Sequence, residues 1–547
     1  MAQYLHADDF AERLRFKVDL VVPVFTVGGN YDDWAGVLLE QKGWSDGARI
    51  PALEGVPDRV RLFVRAFLQT VRLLCELGRL PIFDLPRIIS LYKDQQNTNK
   101  YLLEVEIFLV HFVPQAAYQA PIKSSLELCR WMAQNSPGPV NNNKVFKTIT
   151  EEVINPLHKL VVAGNSTIPV LKVAHSLGIP FSHLGLGVYQ LGLGSKSRKL
   201  DRSTCELDSA IGLKLTFNKV STANILRAAG LPAPVHGVVT TEKDALASGA
   251  KIGFPVVVKP TDLERGEGVT VDISDEAGLK TAFADALILS TSKQVIVERQ
   301  VPGVCHRIFI ANNKLLYAVK RHPMSVIGDG KRSINQLVDD EVTEQAQKPP
   351  WNRSEIKRID DLALNALKSL DLSPNTVPGK GVMVPLRRLE STKWGGVDEE
   401  VTDVIHAENL SIALQAAQLF GLQVAGIDII SPDITKPWYA NGAIINEVNF
   451  APLFGGAEIS RSYIPAFFAE FINGDGVIPT KVFDTEGAAL DFQRLQINQG
   501  KRCYFTDSGR TLDHSGNEIV MPFKDVKKRV RALFMRKDVD AIAVLVP

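Results

Sequence analysis

Hydrophobic and polar positions follow two different periods along this chain. Between Asp58 and Leu77 the apolar residues recur at helical spacing, which predicts an amphipathic helix. Residues 144–160 form a second helical candidate, whereas 87–118 follows neither period clearly. The apolar run 18–27 predicts a strand. Residues 1–155 are therefore expected to form a mixed α/β domain, for which docking or dimer formation is the simplest interpretation.

The rest of the chain alternates between short apolar runs and helical stretches. Residues 156–205 predict strand, helix and strand, with the strands at 159–163 and 179–181 and the helix at 167–177. In the tail, 476–547, we expect a hairpin around 507–509, a helix over 524–534 and a last strand over 541–546. The expected fold class is α/β, with an α+β module over 206–475 and a small α/β tail.

Within 206–475 the pattern predicts a helix over 220–229, ended by Gly230, and several buried strands. Two strands are expected to meet at Asn312-Asn313, the second running from 315 to 321. Residues 333–393 resemble an insertion, with a helix predicted over 354–370 between prolines. The four predicted segments are thus 1–155, 156–205, 206–475 and 476–547.

Two of the apolar runs carry oxygen-bearing side chains. Residues i and i+2 of a strand share a face, so Glu447 and Asn449 can reach one ion together. Asp428 belongs to the run 424–430, which reads as a neighbouring strand. Three oxygen ligands on adjacent strands suit Mg²⁺, which also binds substrate phosphates. A solvent-facing Glu-x-Asn would look the same, so the triplet alone leaves both interpretations open.

A second pattern concerns phosphate. The β-branched run 253–259 ends in Lys259, and Gly266-Glu-Gly268 follows shortly after. Lysine is a point charge for phosphate oxygens, and glycines let backbone N–H groups wrap around them. An ordinary hairpin turn would also explain the glycines, but Lys259 just before them favours a phosphate loop. The chain contains no Walker A motif.

Taken in order along the chain, these motifs resemble the ATP-grasp ligases, and more narrowly the ATP-grasp half of the cyanophycin synthetases. The resemblance covers roughly residues 160–475. The segments that carry it are Asn218-Lys219, Gly230-Leu-Pro-Ala-Pro, Phe254-Pro-Val-Val-Val-Lys259-Pro, the glycine loop, Ile296-Val-Glu298, His306-Arg307, Gly426-Ile-Asp428 and Glu447-Val-Asn449.

The resemblance implies a role for each matching position. It implies ATP and Mg²⁺ as cofactors. The implied roles are phosphate binding for Lys219 and Lys259, a closing loop for Gly266 and Gly268, the adenine hinge for Glu298, a cation at the phosphoryl-transfer site for Arg321, Mg²⁺ ligation for Asp428, Glu447 and Asn449, and the acceptor region for Arg307, Arg387 and His406.

Several positions depart from the family pattern. Cys305 stands where an aspartate is usual, Glu267 where a basic residue is usual, and Phe450 follows Glu-Val-Asn in place of alanine. These departures do not change the positions that match the phosphate-binding and metal-binding residues. They leave open which acceptor substrate the protein uses. The Mur-ligase-like half of the cyanophycin synthetases, with its own phosphate loop, is not found, so a single ATP site and one type of bond are expected.

The resemblance implies an ATP-dependent carboxylate–amine ligase that acts on amino acids or short peptides through an acyl phosphate. Two alternatives remain open. One is a non-catalytic ATP-binding regulator on the same fold. The other is another activity of this fold, such as a kinase or a carboxylate–thiol ligase.

Composition and charge limit the partners and the cellular location that can be expected. The formal net charge of +1 gives no case for nucleic-acid or membrane partners. The five cysteines are widely spaced and odd in number, which argues against a disulfide framework. The N-terminus lacks the apolar core of a signal peptide, and no apolar run approaches the roughly 20 residues that span a bilayer. A cytoplasmic enzyme is expected, which could form a homo-oligomer.

Overall fold

The computed structural model describes residues 3–4, 13–23, 28–39, 53, 55–97, 99–161, 164–263, 267–354, 356–388, 390 and 396–546. The predicted strand 18–27 therefore falls partly outside the described residues, and Gly266 falls wholly outside them.

The strands are numbered in chain order. They are β1 (Gln3–Tyr4), β2 (Arg13–Val21), β3 (Arg87–Lys93), β4 (Lys100–Phe108), β5 (Phe181–Gly185), β6 (Val188–Leu191), β7 (Arg198–Asp201), β8 (Thr204–Cys205), β9 (His236–Val239), β10 (Val256–Pro260), β11 (Thr270–Ile273), β12 (Val295–Arg299), β13 (Val304–Ala311), β14 (Lys314–His322), β15 (Ser325–Ile327), β16 (Met383–Pro385), β17 (Val397–Glu400), β18 (Val424–Ser431), β19 (Ile444–Phe450), β20 (Thr480–Phe483), β21 (Cys503–Thr506), β22 (Thr511–Leu512) and β23 (Ala541–Leu545).

The α-helices follow the same convention. They are α1 (Gly28–Leu39), α2 (Asp58–Leu77), α3 (Ala116–Met132), α4 (Pro139–Ile149), α5 (Asn155–Leu160), α6 (Thr167–Ser176), α7 (Ala210–Thr216), α8 (Lys219–Ala228), α9 (Glu242–Ile252), α10 (Glu276–Leu289), α11 (Ile334–Gln347), α12 (Asp361–Lys368), α13 (Ala407–Leu419), α14 (Trp438–Asn441), α15 (Glu458–Ser462), α16 (Ile464–Phe471), α17 (Glu486–Asn498) and α18 (Val526–Phe534).

The described chain divides into two compact units. The first comprises residues 1–202, 349–351 and 468–547, and the second comprises 203–348 and 352–467. The mixture of helices with largely antiparallel sheets confirms the predicted fold class. No helix among the described residues is both long enough and apolar enough to cross a lipid bilayer.

In the first unit, a three-stranded antiparallel sheet in the order β2-β4-β3 shares one hydrophobic core with α2 and α3. The helix predicted over Asp58–Leu77 is present with those bounds, and its apolar stripe is buried. The stretch 87–118 contains the β3–β4 hairpin, which the sequence pattern did not reveal. A register shift between Ile88 and Ser90 breaks the alternation of β3 and hides its period.

Two other expectations for this unit need correction. The predicted helix 144–160 begins earlier, at Pro139, and runs through a π-helical turn, Thr150–Ile154, into α5. The predicted strand 159–163 is wrong at its start, because Lys159 and Leu160 are the last residues of α5. Leu157 of the same helix is fully buried, so packing of α5 outweighs the β propensity of the valines that follow.

The same unit contains a small α/β sheet with four strands from the last 70 residues and one, β1, from the first few. Strands β20, β23 and β21 are parallel, and β1 and β22 flank them antiparallel. The hairpin around 507–509, the helix over 524–534 and the last strand are all present, within two residues of their predicted bounds. Asp525 caps the helix by accepting hydrogen bonds from the N–H groups of Lys527 and Lys528.

The second unit contains a four-stranded antiparallel sheet in the order β11-β10-β12-β9. Val256 and Val258 point to one face together with Val295 and Val297, and they pack against α9 and α10. The intervening residues of β10 and β12, Lys259 among them, point to the opposite face.

The second unit also contains a five-stranded antiparallel sheet in the order β17-β14-β13-β18-β19. One face carries Ile308, Ile310, Ile427, Ile429 and Ile445, which are fully buried against α13 and α8. The helix predicted over 220–229 is α8, one residue earlier. Because one face of the sheet is filled by these helices, the other face is the one that can bear a site.

The insertion-like stretch shares one core with β15, the strand just before it, and contributes α11, α12 and β16 to that core. The helix predicted over 354–370 is shorter, because Asp360 caps it and α12 begins at Asp361. Helix α11 was not predicted, although Ser333 and Gln336 form a capping box at its start.

Candidate active site

Every strand of the five-stranded sheet places a charged side chain on the face turned away from α13. Arg321 pairs in register with Asp398, Arg307 pairs with Asp428, and Asp428 pairs with Glu447. Directly paired residues of adjacent strands share a face. We call this set of five residues, Asp398, Arg321, Arg307, Asp428 and Glu447, the charged row.

The centre of the row is a bidentate ion pair between Arg307 and Asp428. The Nε and Nη2 atoms of Arg307 donate to the two carboxylate oxygens, the Nη2 bond at 2.8 Å. Both side chains are buried, at 14% and 5% exposure. Burial opposes the charged form of Arg307, but the Asp428 carboxylate outweighs it and raises the pKa of the guanidinium.

Gly426 makes this geometry possible. A Cβ at Gly426 would lie 3.0 Å from the Cδ and Nη1 atoms of Arg307 and 2.9 Å from Pro452. The guanidinium therefore lies flat across β18 because this position has no side chain. The glycine of the Gly-Ile-Asp motif thus has a packing role next to the carboxylate that it precedes.

Arg321 and Asp398 form the other end of the row, with 4.0 Å between Nε and Oδ1. Burial raises the pKa of Asp398, and the charges of Arg321 and Arg307 act against that rise. Beyond the row on the same face, Phe309 stacks on Tyr317 and Phe454, with centroids 5.1 and 4.8 Å apart. These three aromatic side chains are buried beside the row, and charge–charge interactions are stronger next to such an apolar layer than in water.

Glu390 joins the site without having been predicted. Its carboxylate interacts with the Cys305 thiol and with the charges of Asp428 and Arg321. Burial raises the pKa of Glu390. Burial and the charges of Asp428 and Glu390 also raise the pKa of the Cys305 thiol, which stays protonated. No motif surrounds Glu390, so nothing in the sequence pointed to it.

The predicted metal ligands meet on adjacent strands. Asp428 and Glu447 are register partners, and Asn449 on the same face pairs with Gly426. Asn449 donates from Nδ2 to Asp428 at 3.3 Å, which orients its amide. Two carboxylates and an amide oxygen form a donor set that fits Mg²⁺. Since both oxygens of Asp428 already accept hydrogen bonds from Arg307, an ion there would share this carboxylate with the guanidinium.

The second group of predicted residues lies around the four-stranded sheet. Lys259 donates from Nζ to Glu298 at 2.6 Å, and the two side chains are only 13% and 10% exposed. They lie on adjacent strands and on the same face, diagonal to one another. His236 is the register partner of Glu298, and burial lowers the pKa of its imidazole.

Lys219 reaches the same region from α8. Asn218 caps this helix by accepting a hydrogen bond from the N–H of Ser221, and Lys219 is its first residue. The Nζ of Lys219 donates to the backbone oxygen of Leu263, at 2.9 Å, just before the glycine loop. Lys219 therefore contacts the end of the segment 259–263, and Lys259 begins it, so both lysines predicted to bind phosphate belong to the approach to that loop.

Gly268 has a backbone φ of +71°, and a Cβ there would lie 2.8 Å from Pro260. Glycine is therefore required at this end of the loop for both conformation and space.

Two predicted acceptor residues have structural partners elsewhere in this unit. Arg387 is buried at the edge of the insertion and donates to Asp360 at 2.8 Å. His406 caps α13 by accepting from the N–H of Glu408 at 3.1 Å. A role in substrate binding stays a prediction for both, whereas Arg307 lies within the charged row.

Known proteins are similar to this chain over parts of its length. Residues 218–308 match the family of the carbamoyl-phosphate synthase L chain, ATP binding domain. A cyanophycin synthetase of Geminocystis herdmanii is 34% identical over 53% of this chain and 34% of its own length. The glutathione biosynthesis bifunctional protein of Mannheimia succiniciproducens is 30% identical over 45% of this chain and 33% of its own length. The matches thus span about a third of these relatives.

Among solved structures, a bifunctional glutathione synthetase from Pasteurella multocida covers 68% of this chain and 64% of its own, at 19% identity and a TM-score of 0.42. The match at 218–308 includes Lys219, Lys259, Gly268 and Glu298. Residues 218–308 are therefore similar to an ATP-binding domain, and about half of the chain is homologous to part of cyanophycin synthetase.

Proposed function

We propose that the chain is an ATP-dependent, ADP-forming carboxylate–amine ligase that makes a peptide or isopeptide bond through an acyl phosphate. The observation that carries the proposal is the charged row on the five-stranded sheet, in the same unit as Lys219 and Lys259, one of which contacts Leu263 and the other Glu298. The names of its relatives support amino acids or short peptides as substrates.

Nucleotide binding is assigned to the four-stranded sheet and α8. Lys219 and Lys259 would contact the phosphates, exchanging their present partners, Leu263 and Glu298, for phosphate oxygens. Charge-assisted bonds to phosphate are stronger than the bond from Lys219 to a neutral carbonyl, so that exchange is favourable. The loop at Gly268 would then close over the phosphates and exclude water.

The charged row would perform the transfer. A substrate carboxylate attacks the γ-phosphorus, ADP leaves, and the resulting acyl phosphate is attacked by an amine that expels inorganic phosphate. Arg321 and Arg307 would stabilise the negative charge on the transferred group. Asp428, Glu447 and Asn449 would hold Mg²⁺, which when bound neutralises charge shared between the phosphates. No protein nucleophile is needed, because positioning and charge stabilisation carry the reaction.

The experiment that tests the proposal measures ADP release in the presence of MgATP. Amino acids and dipeptides are supplied alone and in pairs, including aspartate, arginine and β-aspartyl-arginine. We expect ADP release that requires one carboxylate and one amine together, with a new peptide or isopeptide product by mass spectrometry. ATP binding without turnover for every pair would contradict the ligase and favour a non-catalytic ATP-binding protein. Phosphorylated or thioester products would point to the other activities of this fold.

A further inference from the structure

Arg307 and the proposed metal site share one carboxylate. Nε and Nη2 of Arg307 donate to the two oxygens of Asp428, and Asn449 donates from Nδ2 to the Oδ2 atom at 3.3 Å. A carboxylate offers about four lone pairs to hydrogen-bond donors or metal ions. These three contacts engage one lone pair of Oδ1 and both lone pairs of Oδ2. A metal ion that binds Asp428 in this arrangement therefore reaches only Oδ1, next to the Nε atom of Arg307.

The guanidinium is held in that position by burial and packing. The side chains of Arg307 and Asp428 are 14% and 5% exposed, and Gly426 lets the guanidinium lie flat across β18. A guanidinium does not lose its proton in proteins, so its positive charge is permanent. Mg²⁺ at Asp428 would therefore face a second cation on the same carboxylate. In a buried setting the two cations repel each other more strongly than in water.

A purely structural role for the Arg307–Asp428 pair is poorly supported. Strands β13 and β18 are paired along the whole of β13, Val304–Ala311, so their association does not depend on one ion pair. Buried ion pairs usually add little net stability, because the desolvation of both charges offsets their attraction. The pair lies instead on the face of the sheet that bears the site, and one of its members is a proposed metal ligand. Its position points to control of the metal.

We propose that Arg307 keeps Mg²⁺ from binding at Asp428 on its own, so that the metal enters only together with ATP. The inference rests on the ligase function proposed above, and specifically on its metal site. Asp428 and Glu447 carry two negative charges, and Arg307 already balances one of them. The triphosphate would supply the negative charge that lets the guanidinium and a divalent ion lie side by side. Arg307 is thus a positioning residue that couples metal binding to nucleotide binding.

The test measures Mg²⁺ binding without nucleotide, by isothermal titration calorimetry and by the shift in melting temperature that Mg²⁺ causes. The wild type should bind Mg²⁺ weakly and show little shift. Arg307→Met removes the guanidinium and keeps an apolar stem, which leaves Asp428 without its cation. This variant should melt at a lower temperature, bind Mg²⁺ about tenfold or more tightly than the wild type, and regain melting temperature as Mg²⁺ is added.

Three further variants separate competition for Asp428 from other effects. Arg307→Lys keeps the charge but not the bidentate geometry, so it should give an intermediate Mg²⁺ affinity. Arg307→Met/Asp428→Asn removes both charges, so it should fold without a buried unpaired carboxylate and gain no Mg²⁺ affinity. Arg321→Met is the matched control, because it removes the same charge from the same face of the sheet, where Arg321 lies beside Asp398 at 4.0 Å. It should change Mg²⁺ affinity by less than about threefold.

Each outcome decides between the alternatives. A gain in Mg²⁺ affinity in Arg307→Met that Arg321→Met does not share supports the proposal. If Arg307→Met does not fold, the same comparison is made with Arg307→Lys. If the wild type binds Mg²⁺ alone as tightly as the Arg307 variants, or if the Arg321 variant gains equally, the inference is wrong and the ligase function is unaffected. If Mg²⁺ does not change the affinity of any of these proteins for a non-hydrolysable ATP analogue, the proposed metal site itself fails, and this inference fails with it.

Discussion

Lys259 and Glu298 form the least exposed ion pair on the face of the four-stranded sheet that we assign to ATP. Their Nζ–Oε1 distance of 2.6 Å makes each the main partner of the other. Removing one partner of a buried pair is costly because the remaining charge stays buried. The role of Lys259 in ATP binding must therefore be separated from its role in neutralising Glu298.

Lys259→Met removes the charge and keeps the apolar stem. We expect the affinity for a non-hydrolysable ATP analogue to fall by roughly 2–4 kcal/mol, measured by isothermal titration calorimetry. The double variant Lys259→Met/Glu298→Gln should recover thermal stability but not affinity, because no charge then remains unpaired. Lys251→Met, at the exposed end of α9, is the matched control. Unchanged affinity in Lys259→Met would make this lysine purely structural.

Glu447 is a predicted metal ligand with no ion pair among the described residues, whereas its register partner Asp428 is paired with Arg307. Glu447→Gln should lower turnover by on the order of 10² while the strand stays folded. Steady-state ADP release over a range of Mg²⁺ concentrations checks this. Near-normal turnover at saturating Mg²⁺ would remove Glu447 from the proposed metal site. Glu408→Gln, on the exposed start of α13, is the control.

At the residue scale, the sequence predicted part of this site for a physical reason. Glu447 and Asn449 share a face because strands have a period of two, and the sheet places Asp428 beside them as expected. The Arg307–Asp428 pair could not be predicted, because it depends on which strands become neighbours. Glu390 could not be predicted, because no motif surrounds it. Arg387 and His406 have structural partners, Asp360 and the start of α13, that their motifs did not indicate.

At the element scale, the glycine loop after β10 depends on Gly268. Gly268→Ala combines an unfavourable positive φ with a contact of 2.8 Å to Pro260. Gly230→Ala has a similar φ of +79° with open space around the new Cβ. Both should destabilise the protein by about 1 kcal/mol, but only Gly268→Ala should also weaken ATP binding, because it shifts the loop. Thermal unfolding with and without an ATP analogue measures both effects. Equal affinity losses in the two variants would contradict a specific loop role.

The parallel sheet near the end of the chain offers a pH-dependent test. Hydrogen bonds from Arg502 lower the pKa of Asp540 from 3.8 to about 2. A carboxyl group whose pKa is lower in the folded state than in the unfolded state stabilises the fold at pH values above its unfolded-state pKa. That stabilisation is lost as the pH falls through the pKa of the folded state. Asp540→Asn should therefore cost about 1 kcal/mol at pH 7, after allowance for the partial exposure of Arg502. Urea titrations should show this cost shrinking between pH 4 and pH 2. A cost independent of pH would mean that packing, not charge, is responsible.

Elements were predicted best where one period runs without interruption. Helix α2 was found with its bounds because its apolar stripe is long and regular. The β3–β4 hairpin was missed because a register shift interrupts its alternation, and the strand expected at 159–163 proved to start within a helix. Local propensity gave the wrong answer there because tertiary packing of Leu157 decides the conformation.

At the scale of the whole molecule, the chain folds as two units, and the residues that we assign to ATP and to transfer all belong to the second. The assignment of different roles to the four predicted segments, 1–155, 156–205, 206–475 and 476–547, stays a prediction. We expect one type of bond and one ATP per bond, because the described residues contain one set of lysines assigned to phosphate and one charged row in the same unit.

The central claim is that the γ-phosphoryl group of ATP is transferred to a substrate carboxylate. It is tested most directly by running the reaction with the carboxylate substrate labelled with ¹⁸O and recording the products by ³¹P NMR. We predict ADP and inorganic phosphate in equal amounts, one of each per bond formed, with one ¹⁸O atom from the carboxylate in the phosphate. Two results would contradict the acyl-phosphate ligase. One is label in AMP with pyrophosphate as the second product, and the other is unlabelled phosphate.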